Sequence, residues 1–159
     1  MHRRDPRQLV AEMREYAKQE VRRRDDLFDR RFGDSYLNIG NAVVLKQGHP
    51  HGYGIDTTFE KQFGNMAPYL KGGVGRSFEG NQVLRKGGIG VMYEGKSGGS
   101  AFAEYERAVQ SGGAKDTLRG GLQYTSSDEK VKAGLVAEKE KIRGQKSEKT
   151  IAFSLDWYF

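Results

Sequence analysis

From Gly33 onward, apolar residues recur at every second position. In YLNIGNAVVLKQG, Leu37, Ile39, Val43 and Leu45 alternate with Asn38, Gly40 and Val44. In YGIDTTFEKQF, Tyr53, Ile55, Thr57, Phe59 and Phe63 share a face. The stretches QGHPHG, GNMAP and EGNQ separate such segments with turn-forming residues. A two-residue period between regular turn signals specifies short antiparallel strands. The expected fold class is mainly β, antiparallel, with roughly seven or eight strands in a barrel or curved sheet. Strands at 36–46, 53–63, 69–78, 83–94, 100–110, 117–125, 131–141 and 150–159 would make eight.

Glycine sharpens this reading. All 22 glycines lie between Gly33 and Gly144. An internal repeat accounts for several of them. LKGGVGRSFEG (70–80) aligns with LRKGGIGVMYEG (84–95), and LRGGLQY (118–124) is a shortened third copy. Val74 and Phe78 share one strand face, as do Ile89 and Tyr93, and Leu122 and Tyr124. The opposite face is nearly bare, with Gly73, Gly75 and Ser77, or Gly88 and Gly90. Glycine weakens a strand, so a bare face implies a tight bend or the close approach of another group. Two segments are ambiguous. SAFAEYERAVQSGG fits a short helix better than a strand, whereas 128–143 leans towards a strand with Val131, Ala133, Leu135 and Ala137 aligned.

The glycine-free segment before Gly33 reads differently. Asp5 as N-cap, Pro6 at the first helical position and Gly33 as a stop predict one long helix. Val10, Met13, Ala17, Val21 and Phe28 form its thin apolar stripe. The chain then divides into a charged N-terminal docking helix (1–33) and a glycine-rich antiparallel β domain (34–159).

The net charge is +6 with a pI near 9.5, which permits anionic partners without requiring them. Cysteine is absent, which removes disulfides, thiolate catalysis and cysteine-bound zinc. No apolar run is long enough for a membrane helix. Residues 1–20 have no apolar core of a secretory signal, so synthesis in the cytoplasm without a signal peptide is expected.

Candidate chemistry is sparse. GVMYEGKS (90–97) fits the phosphate-loop pattern, but Gly98 and Gly99 would break the helix that such a loop must open. Copy one of the repeat also has Asn81 and Gln82 where Lys96 and Ser97 stand. His49 and His51 could share a metal, yet HPHG reads as a polar turn. In EVRRRDDLFDRR the residues Arg22, Arg23, Arg24, Arg30 and Arg31 could grip phosphates. Asp25, Asp26 and Asp29 among them favour ion pairs with protein. No catalytic set, cofactor, metal or small-molecule substrate is expected.

The chain closes on KTIAFSLDWYF. Ile151, Phe153, Leu155, Trp157 and Phe159 alternate with Ala152, Ser154, Asp156 and Tyr158. This stretch resembles the C-terminal strand of bacterial outer-membrane β-barrels. In that family, the resemblance implies, the alternate apolar residues face lipid, Trp157 and Tyr158 belong to an interfacial girdle, and the final aromatic is part of an assembly signal. Three readings follow. The first is a non-enzymatic structural subunit of a large multi-subunit assembly, a bacteriophage virion component by class. The alternatives are a small outer-membrane-type barrel and a basic nucleic-acid-binding module. Under the first, the partners are protein subunits in a homo-oligomer, held through the five arginines and through Phe153, Leu155, Trp157 and Phe159. Membrane and nucleic acid are the partners under the alternatives, and the locations follow: virion or outer membrane.

Overall fold

The computed structural model describes residues 6–18, 20–78 and 82–158. A helix, α1 (Gln8–Lys18), leads into nine strands: β1 (Glu20–Phe32), β2 (Ser35–Lys46), β3 (His49–Lys61), β4 (Met66–Ser77), β5 (Val83–Glu94), β6 (Gly99–Gln110), β7 (Gly113–Thr125), β8 (Val131–Ile142) and β9 (Glu148–Trp157). They form one sheet in which each strand pairs antiparallel with the next, in sequence order. Tight turns set the register. At Gln47–Gly48 both φ angles are positive (51° and 78°), the twist that suits a two-residue hairpin.

Two expectations are corrected. The helix expected over 5–33 ends at Lys18, and Glu20–Phe32 is a strand; Asp5 lies outside the described residues. The strand wins because Arg22, Arg24 and Asp26 gain partners across the sheet that a lone helix could not offer. Arg22 and Arg24 both pair with Asp56 of β3, and Arg24 and Asp26 both bond Asn38 of β2. A register shift between Asp26 and Phe28 absorbs Leu27 as a bulge. Segment 100–110 is also strand rather than helix. The strand wins because Phe102, Glu104 and Glu106, at every second position, are all buried while Tyr105 between them is exposed. Segment 131–142 is strand, as its alternation indicated.

The sheet is strongly curled. Leu9 and Met13 of α1 are buried against Val136 of β8, with Ala152 of β9 alongside. Val10 packs on Ala67 and Tyr69 of β4, Met92 of β5 and Phe102 of β6. Arg7, just before the helix, pairs with Glu60 of β3 at 3.5 Å and lies over the ring of Tyr69. The strands from β3 to β9 would span about 29 Å if flat, at about 4.8 Å per neighbour. An 11-residue helix reaches all of these partners because the sheet wraps round it. The concave face and α1 together form the core.

The bare glycine faces explain how that core closes. A Cβ at Gly90 would overlap the ring of Tyr69, one at Gly121 the ring of Phe102, and one at Gly134 the side chain of Leu9. Glycine is needed there because a large side chain from the neighbouring strand, or from α1 in the case of Leu9, lies over the position.

Candidate membrane-facing belt and polar interior

Directly paired residues share a face, so the ladders sort every strand into inward and outward sets. One inward row runs Glu60, Tyr69, Gly90, Glu104, Arg119, Glu138 and Thr150 across seven strands. Its centre is an ion network. Arg119 donates from Nη1 to Glu104 at 2.5 Å, from Nε to Glu138 at 2.5 Å and from Nη2 to Glu106 at 3.4 Å. Lys71, from the next row, donates to Glu104 at 2.5 Å and pairs with Glu106 at 2.8 Å. The Tyr69 hydroxyl completes Glu104 at 2.7 Å. The Arg119 and Glu138 side chains are 4% and 1% exposed. Charges so desolvated persist only when densely paired, and the fork of an arginine suits three carboxylates at once. A second inward cluster, Arg22, Arg24, Asp26, Asn38 and Asp56, lies near the β1 edge.

The outward face is apolar. Ile151 is 73% exposed, Phe153 69%, Trp157 67%, and Ile89 and Leu122 58% each. A water-soluble barrel would have this distribution reversed. On three strands the belt has the same width: it runs on β5 from Arg85 to Tyr93, on β7 from Asp116 to Tyr124, and on β9 from Lys149 to Trp157, eight residue steps in each case. Eight rises of about 3.3 Å give about 26 Å along the strand.

Its boundaries are not level in the hydrogen-bond rows. Tyr93 shares a row with Ala101, Leu122, Leu135 and Phe153, four residues short of Trp157. Lys149 shares a row with Lys139, Leu118, Tyr105 and Ile89, four residues from Arg85. A drift of four residues, about 13 Å, across four strand spacings, about 19 Å, corresponds to a strand tilt of about 35° if both boundaries are planes. The slab between them is then about 21 Å thick. Transmembrane barrels tilt by about 35–45° around an apolar band of about 25 Å.

The sequence-predicted residues fall on both faces. Arg22, Arg24 and Arg31 are inward, and Arg23 and Arg30 outward, by their partners Val44, Ala42, Tyr36, Val43 and Leu37. The five do not converge on one surface. Phe153, Leu155 and Trp157 lie together on the outward belt; Phe159 lies outside the described residues. Lys96 and Ser97 occupy the turn between β5 and β6, which leads into a strand and not a helix. His49 and His51 begin β3 instead of forming a turn, and among the described residues no group of three potential metal ligands occurs. Sequence reading missed the network around Arg119. Its trace was a polar residue at every second position, in Glu104–Glu106 and Thr117–Arg119, alternating with the outward Tyr105 and Leu118.

No family model and no curated protein matches the sequence. A solved structure does: OmpT (in-vitro folded), an outer membrane protein of Vibrio cholerae in its trimer form, aligns with a TM-score of 0.59 at 11% identity. The chain is similar in fold to an outer-membrane β-barrel protein. The match covers 87% of this chain and 56% of that one, so the chain spans little more than half the length of its structural neighbour. At that identity the likeness concerns the fold.

Proposed function

We propose that the outward belt is the lipid-facing surface of a membrane-embedded β-wall of outer-membrane type, with α1 filling its concave side. The role is structural and not enzymatic, and the location is the outer membrane. One observation carries this reading: an exposed apolar band of equal width on β5, β7 and β9, both of whose edges drift by the same four residues, over a polar and ion-paired interior. In water that band would be a large unpartnered patch; in a bilayer it is solvated by acyl chains. The trimer form of the structural neighbour supports association between copies. The pairing of Arg22 and Arg24 with Asp56 weighs against their serving as phosphate contacts.

Trp157 is the one tryptophan in the chain and stands on the belt, so its fluorescence reports the surroundings directly. In protein refolded into phosphatidylcholine vesicles the emission should shift to the blue and be quenched by bromine-labelled acyl chains. A discrete oligomer, soluble without detergent and indifferent to the brominated lipid, would replace this reading with burial of the belt between protein subunits, as in a virion.

A further inference from the structure

The two boundaries of the belt differ in chemistry. One is aromatic, with Tyr93, Tyr124 and Trp157. The other is basic: Arg76 on β4, Arg85 on β5, Arg107 on β6, Lys139 on β8 and Lys149 on β9 all face outward. All five are exposed. Arg107 lies 3.8 Å from Asp116, the acidic residue at this boundary, whose carboxylate also accepts from the Tyr105 hydroxyl at 2.6 Å. At the aromatic end the charges are mixed, with Lys61, Lys96 and Lys130 standing among Glu94, Asp128 and Glu129.

We infer that this basic collar is a docking surface for the phosphate-bearing headgroups of an anionic lipid leaflet. The inference rests on the membrane reading above and adds the lipid class and the direction in which the wall faces. The argument is complementarity at a fixed depth. The five cations follow the same tilted line as the belt edge, which puts them where headgroup phosphates begin. Lysine and arginine stems can lie along the apolar edge while the charged tips reach the phosphates. The five cations occupy five of the six strands from β4 to β9, so an anionic leaflet would meet them as a line of charge. A neutral leaflet offers no net charge to match them, and the aromatic end has no such line.

The test uses the full chain refolded into vesicles of phosphatidylcholine alone and of phosphatidylcholine mixed with phosphatidylglycerol, at low salt. Each basic residue near an anionic surface is worth about a fivefold change in partitioning. The wild type should favour the mixed vesicles. Replacing Arg85, Arg107, Lys139 and Lys149 with Gln should lower association with the mixed vesicles by about tenfold or more and leave phosphatidylcholine unaffected. A set at the other end, Lys61→Gln, Lys96→Gln and Lys130→Gln, should have a much smaller effect for each charge removed. Equal losses per charge from the two sets would reduce the effect to net charge and overturn the collar. Equal insertion of the wild type into both vesicle types would overturn it too, with the membrane reading intact. Failure to enter either vesicle would instead sink the membrane reading itself.

Discussion

Arg119 on β7 bonds Glu138 on β8 through Nε, 2.5 Å from the carboxylate, in a part of the interior almost closed to solvent. Removing one member of such a pair strands the other without compensation. Arg119→Met leaves Glu104, Glu106 and Glu138 facing one another with Lys71, and should cost about 3–5 kcal/mol. Urea titration of the refolded protein would measure it. Adding Glu104→Gln to Arg119→Met should restore part of the loss. A single change without effect would mean that the network is hydrated.

The seat of α1 can be read by thiol labelling, because the chain has no cysteine. Ser154 lies beside the Leu9 side chain at Gly134. In Ser154→Cys, labelling by a charged maleimide should be slow. Adding Leu9→Ala and Met13→Ala should speed it several-fold, since each truncation of a buried residue costs about 2–5 kcal/mol. Unchanged labelling would show that the helix does not shield the concave face.

Glycine positions separate packing from propensity. Gly90→Ala drives a methyl group into the Tyr69 ring and disturbs the hydroxyl that Glu104 accepts from. A loss of about 1–3 kcal/mol is expected. Gly87→Ala meets nothing closer than 3.9 Å and should be neutral or slightly stabilising. Equal effects would argue against the interlocked arrangement.

Depth along β9 gives a graded prediction. Phe153 lies midway between Lys149 and Trp157. Phe153→Arg should destabilise the protein in lipid by about 2–4 kcal/mol, and Trp157→Arg at the boundary by about 1 kcal/mol or less for the charge itself. A flat profile from folding titrations in vesicles would contradict a lipid-facing strand.

The turn between β7 and β8 should respond to acid. The Ser126 hydroxyl and then the Lys130 backbone N–H, both donating to Asp128, hold its carboxyl below the usual value. A depressed value means that its contribution to the turn is present above about pH 4 and is lost as pH falls through the lower, folded-state value. Amide exchange at Val131, whose N–H donates to Ser126, should accelerate over that acid range. Asp128→Asn should blunt the response.

Much of the sheet was legible because outward residues obey a two-residue rule that needs no partner to be seen. Ile151, Phe153, Leu155 and Trp157 advertise a strand on their own. β1 and β6 were illegible for the opposite reason. Their inward sides hold Arg24, Asp26, Glu104 and Glu106, residue types that read as solvent-facing until Asn38 and Arg119 arrive from the next strand and Asp56 and Lys71 from two strands away. Ion pairs across a curled sheet leave little local pattern. Glycine was half legible: the bare face of the repeat announced a close approach, but only the fold names Tyr69, Phe102 and Leu9 as the groups that make it.

Nine is an odd number of strands. Every odd strand runs from the basic boundary towards the aromatic one, so the polypeptide enters the wall at Glu20 on one side and leaves it at Trp157 on the other. An even count would return it to the compartment it came from. On the membrane reading, the nine described strands would carry the chain across once, with Glu20 and Trp157 on opposite sides. Were β1 and β9 to meet, their seam would also be parallel, with slanted bonds and slightly weaker pairing than the eight ladders that precede it. The place where such a wall would first part is thus fixed by counting.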